Sequence, residues 1–286
     1  RMSQPGVSIH VRQLEAHAGL PLFEQLGKRI YLTSAGHEML RYSRAILQQF
    51  KEADAALGAL KGIRGGRLDI AVISAGDYFF PGLLAEFCRR HERVTVRLTV
   101  NNRAEIVHEL GENSTDLAVL LRPPENPDMI AEAFAPQPHV IVAAPGHALA
   151  RKRRILLQAV ANEAFIVREQ GSDTRLAMEE LLEECRVKFN VTMEIKSTET
   201  IKQAVIAGMG ISFLSAHTIG RELEAGRLAV LDVEGFPVMR KWHIVHHKNK
   251  RLPAVAVAFK EFLLREGAAL IERLVGRATP KRKLRA

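Results

Sequence analysis

From Leu68 onward, short runs that are apolar on both faces alternate with segments of helical period. The run Ile70-Ala71-Val72-Ile73 offers no polar face to water. Such a strand has to be covered on both sides, and between amphipathic helices that means a parallel sheet with helical layers above and below. The pattern predicts strands over 68–74, 94–100, 116–121, 139–144, 165–168, 191–195, 211–215 and 240–247. It predicts helices over 80–91, 103–112, 173–186, 198–208, 216–226 and 253–274. The body is therefore α/β, with no internal repeat or low-complexity stretch. A chain of 286 residues can bury more than one core, and Gly62, Gly65 and Gly66 punctuate it where a domain boundary is expected.

Ahead of that boundary the texture differs. Residues 3–17 read as a helix, with Ser3 as cap, Pro5 in the first turn and Gly19 past the end. Val7, Val11 and Leu14 form its apolar stripe, and Ser8 and Arg12 share another face. Leu20 to Thr33 reads as a short hairpin with a basic tip at Gly27-Lys28-Arg29. A long helix is expected over 34–61, where Leu40, Ser43, Leu47, Phe50, Asp54 and Leu57 have heptad-like spacing. Such a seam predicts a homodimer; packing on its own domain is the other reading.

The net charge of +9 is uneven: residues 1–67 carry +5, residues 277–286 carry +5, and 68–276 carry −1. A basic head and tail on a neutral body suit a nucleic-acid binder whose body binds something else, although basic ends also aid solubility. Gln4, Ser8, His10 and Arg12 are side chains suited to base edges and phosphates in a major groove, with Lys28 and Arg29 in reach of the backbone or a minor groove. Cys88 and Cys185 stand far apart outside any CxxC pattern, against a disulfide framework or thiolate metal site. No apolar run approaches 18 residues, so the expectation is a soluble, cytoplasmic chain with no membrane partner.

The string Ser3-Gln-Pro-Gly-Val-Ser-Ile-His-Val-Arg-Gln-Leu-Glu15, followed by Gly19-Leu-Pro-Leu-Phe-Glu24, Lys28-Arg29 and Leu32-Thr-Ser-Ala-Gly36, resembles the recognition helix and wing of LysR-type transcriptional regulators. The resemblance implies double-stranded DNA contacts from Gln4, Pro5, Ser8 and Arg12, with Lys28 and Arg29 on the wing. It also implies an all-α winged helix-turn-helix that is incomplete at its N-terminus, the first two helices lying upstream of Arg1. Gly6 stands where Ala is common and His10 where a longer polar side chain is common. The likeness continues through Arg168-Glu-Gln-Gly-Ser-Asp-Thr-Arg175, which is similar to the family's effector segment except that Asp173 replaces a usual Gly. It implies a regulatory domain of two periplasmic-binding-protein-like lobes joined by two crossovers. The expected division is 1–33 for the helix-turn-helix, 34–61 for the linker helix, 67–276 for the regulatory domain and 277–286 for a basic tail. Lobe I would comprise 67–136 and 240–266, and lobe II 137–239. The strings 23–33, 201–205 and 207–218 look most like regulators of RuBisCO and Calvin-cycle operons. That implies control of CO2-fixation genes by a phosphorylated sugar, a phosphorylated acid or NADPH. A tetramer and contact with RNA polymerase are further implied, as is the absence of catalytic function.

In open α/β sheets ligands bind outside the carboxyl ends of the strands, where helix N-termini favour anions. The residues at those junctions are Ser74, Asn102, Arg122, Ser172, Thr174, Arg175, Thr200 and Gln203. A hydroxyl, amide and guanidinium set with no metal cluster points to a small carboxylate or phosphate effector. The plainer alternatives are helix caps for Ser74, Ser172 and Thr174, turn residues for Asn101 and Asn102, and a surface ion pair for Arg122. Asp173 either adds charge near the pocket or caps its helix pointing away. His243, His246 and His247 alternate faces on one strand, Gly208-Met209-Gly210 reads as a turn, and Arg151 to Arg154 as a solvated face. A secreted solute-binding module would lack the basic head, and an enzyme would need a nucleophile–base pair or metal set that the sequence does not offer. No catalytic residue, metal or cofactor is expected.

Overall fold

The computed structural model describes residues 4–27, 29–59 and 66–275. Lys28 and the 277–286 tail lie outside them, as do the side chains of Gln4, Pro5 and Leu57. The chain opens with helix α1 (Gln4–Ala18) and a hairpin of β1 (Phe23–Leu26) and β2 (Arg29–Leu32). The Glu15 carboxylate accepts from the backbone N–H of Leu22 at 2.8 Å and of Phe23 at 3.2 Å, so the helix end aims the hairpin. The Thr33 hydroxyl donates to the Pro21 carbonyl at 2.7 Å and accepts from the Gly36 N–H at 3.0 Å. That ties the hairpin to the next helix, α2 (Ser34–Ala59). Gly36 has no alternative here, because a Cβ would sit 2.0 Å from the Leu22 carbonyl oxygen. Val7 and Leu14 of the predicted apolar stripe are exposed, as are Leu40, Leu47 and Phe50 of the α2 seam. Arg44 pairs with Glu112 at 2.9 Å and Lys51 with Asp69 at 3.5 Å, joining α2 to the body.

The body runs β3 (Gly66–Ile73), α3 (Phe80–Arg90), β4 (Val94–Asn101), α4 (Arg103–Gly111), β5 (Leu117–Leu120), β6 (Met129–Ala143), α5 (Leu157–Ala161) and β7 (Ala164–Arg168). It continues through α6 (Asp173–Cys185), β8 (Asn190–Ile195), α7 (Thr198–Ile206), β9 (Ile211–Ser215), α8 (Gly220–Glu224), β10 (Ala229–Val230), β11 (Val238–His247) and α9 (Ala254–Leu274). The strands form one sheet in the order β4-β3-β5-β11-β6-β9-β7-β8, with β10 beside β6.

The sheet is mixed, which corrects the expectation of a parallel one. β4, β3 and β5 are parallel in one half and β9, β7 and β8 in the other, but β6 and β11 run antiparallel through the middle. These two long strands carry the chain between the halves and pair from Val238↔His139 to His247↔Met129, with a bulge at Trp242/His243. The strand expected over 139–144 is only the end of β6. Its first part, with Glu132, Pro136 and Pro138, has no strand-like apolar pattern, and the pairing with β11 makes it a strand. The helix expected over 216–226 is a 3₁₀ turn (Ala216–Thr218) followed by the short α8, and α5 and β10 were not anticipated.

The buried side chains fall on either side of the crossing. One core gathers Phe79, Phe80, Phe87, Trp242 and Phe259 with β3, β5 and α9. On the other side, strand alternation splits β6: Ile141 and Ala143 pack with Phe165 and Phe213 under α5 and α6, while Val140 and Val142 pack with Ile201 and Leu214 under α7. Gly210 lets β9 start hard against β7, since a Cβ there would lie 2.4 Å from the Ala164 carbonyl oxygen. Among the described residues, no helix is long and apolar enough to cross a membrane.

Candidate functional site

The carboxyl ends of β3, β4 and β5 meet those of β7, β8 and β9 where the two halves face each other. Three helices begin at this junction. Asn102 caps α4 in a reciprocal box: its side-chain oxygen accepts from the Glu105 N–H at 3.0 Å, and the Glu105 carboxylate accepts from the Asn102 N–H at 3.2 Å. Ser197 caps α7, its hydroxyl accepting from the Thr200 N–H at 3.2 Å. The N-terminus of α6 is different. Ser172 stands at the cap position, buried, and its side chain makes no cap bond. Thr174, at the second position of the helix, is also buried, and neither hydroxyl has a hydrogen-bond partner among the described residues.

Contacts join the halves across the junction. The Ala104 N–H donates to the Gly171 carbonyl at 3.3 Å, Lys196 pairs with Glu105 at 3.3 Å, and the Tyr78 hydroxyl donates to Glu199 at 3.3 Å. Asp173 reaches furthest: its carboxylate accepts from the Leu121 N–H at 2.9 Å and lies 3.2 Å from the Arg103 guanidinium, with its side chain 1% exposed. Burial pushes its pKa up to about 6, against the pull of the Leu121 N–H and of Arg103. The departure at Asp173 thus faces the other lobe and does not cap its own helix. His217 closes the same side, its Nδ1 accepting from the Trp242 indole N–H at 3.4 Å, and burial lowers its pKa to about 4.

The sequence-derived residues distribute as follows. Ser74 is half-buried in the turn after β3, which packs against the 216–218 turn. Asn102, Ser172 and Thr174 come together at the facing starts of α4 and α6. Arg122 is exposed and pairs with Glu125 at 2.5 Å and with Glu180; with Asp173 and Arg240 it lines a 270 Å³ pocket. Arg175 turns along α6 to Glu179 at 2.5 Å, Glu194 at 3.6 Å and the Arg168 carbonyl at 3.2 Å. Thr200 is exposed, and the Gln203 amide donates to Glu199 at 3.0 Å. His243 does not share a site with its neighbours; its Nδ1 lies 2.9 Å from the Leu121 carbonyl oxygen.

Lys202 escaped the sequence reading. It is 2% exposed, with its ammonium 2.8 Å from both Glu199 and Glu222, 3.2 Å from the Thr218 carbonyl, and 4.6 Å from the Tyr78 ring centre. Burial opposes the charge, yet Glu199 and Glu222 hold its pKa above the ordinary lysine value. It lines a 740 Å³ pocket with Tyr78, His217 and Arg273. Arg168, at the head of the 168–175 motif, is buried, clasping Glu169 at 2.7 and 2.9 Å and donating to Thr198 at 2.9 Å. Nothing in a single sequence marks one lysine or arginine as buried. In the head, Ser8, Arg12 and Arg29 are exposed, and Gln4 and Pro5 lie in the first turn of α1. Among the described residues, no group of three or more His, Cys, Asp or Glu could hold a metal ion.

Residues 61–268 match the LysR substrate binding domain, and residues 1–37 match the bacterial regulatory helix-turn-helix protein of the lysR family. The chain is similar to the RuBisCO operon transcriptional regulator of Allochromatium vinosum, 48% identical over 273 residues that cover 96% of this chain and 90% of that protein. It is also similar to the HTH-type transcriptional regulator CbbR of Rhodospirillum rubrum, 46% identical over 92% of this chain and 87% of that protein. Among solved structures, the Synechocystis PCC6803 CcmR regulatory domain in complex with 2-PG is 40% identical, with a TM-score of 0.67 over 70% of this chain and 96% of that chain. CbnR, a LysR family transcriptional regulator, shares the fold over 92% of this chain and 91% of its own, with a TM-score of 0.59 at 21% identity. This chain belongs to the LysR family of transcription regulators, a family of DNA-binding proteins and not of enzymes.

Proposed function

We propose that the chain controls a RuBisCO operon, binding promoter DNA through α1 and the β1–β2 hairpin and sensing a small phosphorylated acid between its two lobes. The observation that carries the effector half is the start of α6, where the hydroxyls of the buried residues Ser172 and Thr174 make no hydrogen bond among the described residues, opposite Asn102 and Arg103 across the cleft. Helix N–H groups with free hydroxyls beside them suit an anion. The regulatory domain 40% identical to this one that was solved with 2-PG supports the same ligand class. Ser74, Asn102, Arg122, Ser172, Thr174, Arg175, Thr200 and Gln203 remain the proposed effector set. Gln4, Pro5, Ser8, Arg12, Lys28 and Arg29 remain the proposed DNA set. We assign 1–33 to the head, 34–61 to the linker helix and 67–276 to the regulatory domain.

The exposed Leu40, Leu47 and Phe50 on α2 support a homodimer through that helix. Assembly to a tetramer, contact with RNA polymerase and a cytoplasmic location complete the reading. The effector acts only through its different affinity for the lobe arrangements, and that difference is what the head transmits to DNA. The test is a thermal shift with 2-phosphoglycolate, inorganic phosphate and NADPH, run beside a gel shift on a RuBisCO promoter. A specific ligand at 100 times its Kd stabilises by about 2.7 kcal/mol. Indifference to all three compounds, or equal affinity for promoter and unrelated DNA, refutes the corresponding half of the proposal.

A further inference from the structure

Two fully buried side chains at the crossing of the lobes have polar atoms with no protein partner. Gln137 and His139 are both 0% exposed, and neither amide atom of Gln137 nor either ring nitrogen of His139 has a hydrogen-bond partner among the described residues. Buried polar groups in folded proteins are nearly always paired, so four orphaned atoms two residues apart on one strand need a cause.

Their position supplies one. On β6, Gln137 and His139 point to the same face of the sheet, the face covered by α6. His139 is the register partner of Ser215, the last residue of β9, and stacks on Phe213 with ring centres 4.7 Å apart. Gln137 therefore stands one step beyond the carboxyl end of β9, where open α/β sheets bind ligands. Its partner on β11 is Arg240, which lines the 270 Å³ pocket together with Asp173 of α6. The start of α6, with the unpaired Ser172 and Thr174 hydroxyls, belongs to this same face.

We infer that Gln137 and His139 form a second recognition point of the effector site, donating hydrogen bonds to the end of the effector opposite its phosphate. The inference rests on the proposed effector reading and adds its specificity. Burial, then Arg240 and His217, lowers the His139 pKa to about 3, so the ring stays neutral and offers one N–H and one lone pair. With the Gln137 amide it matches a carboxylate or hydroxyl arm, which a bare phosphate seated at the start of α6 lacks. Because the two residues sit on a crossover strand, a ligand held there touches the element that joins the lobes.

The experiment compares the full chain with Gln137→Leu and His139→Phe, by calorimetric titration with 2-phosphoglycolate and with inorganic phosphate, and by melting without ligand. Leu is close to Gln in volume, and Phe, somewhat larger than His, keeps the stack on Phe213. The expected result is at least a tenfold loss of affinity for 2-phosphoglycolate, phosphate affinity within twofold of wild type, and an unchanged or higher melting temperature. Unchanged 2-phosphoglycolate affinity overturns the inference. A lower melting temperature with equal loss for both ligands also overturns it, since that marks a structural role. A wild-type protein that binds neither compound removes the effector reading itself and this inference with it.

Discussion

Replacing Asp173 with Asn tests the electrostatics of the lobe junction. The carboxylate is almost wholly enclosed, accepts from the Leu121 N–H and faces the Arg103 guanidinium, and the Arg122 N–H and guanidinium also favour its charged form. Its pKa is nevertheless raised from 3.8 to about 6, because burial outweighs these partners together. At ~1.4 kcal/mol per pH unit, the ionised form costs the folded chain ~3 kcal/mol relative to the neutral acid. A raised carboxyl pKa gives stability that is full below pH 3.8 and fades as pH rises to about 6. Asn mimics the neutral acid and can still accept from the Leu121 N–H. Asp173→Asn should therefore match wild type near pH 4 and exceed it by ~3 kcal/mol at pH 8, a rise of roughly 6–12 °C in melting temperature for a domain of this size. Scanning calorimetry at half-unit pH steps reads the difference curve. A variant less stable than wild type at pH 8, or a difference that does not vary with pH, would show that the Arg103 pairing outweighs burial and refute the reasoning.

Three further outcomes are expected. Arg12→Ala should abolish specific promoter retention in a gel shift and lower the slope of log affinity against log salt by about 1, with effector response intact. Gly36→Ala drives a Cβ into the Leu22 carbonyl and should destabilise the head by about 1–3 kcal/mol, so DNA binding falls while the effector thermal shift persists. Lys202→Met leaves Glu199 and Glu222 facing each other without their cation, and urea denaturation should show a loss of roughly 3 kcal/mol.

The sequence alone determined the alternation of strands and helices, the head and the long helix, because these follow from local periodicity and punctuation. The motif strings also carried the family, and Gly36 and Gly210 stand where backbone meets backbone. The candidate site was legible only at its helix starts: Asn102, Ser172 and Thr174 occupy the junctions where caps and anion sites share one chemistry. Tertiary structure decided the rest. The first half of β6 is a strand through its pairing with β11, a contact more than a hundred residues away that no local pattern encodes. Likewise the burial of Lys202, Arg168, Gln137 and His139, and the reach of Asp173 across the lobes, arise from which surfaces the two crossover strands bring face to face. Burial is a property of the whole packing, and a residue's own neighbours in sequence do not set it.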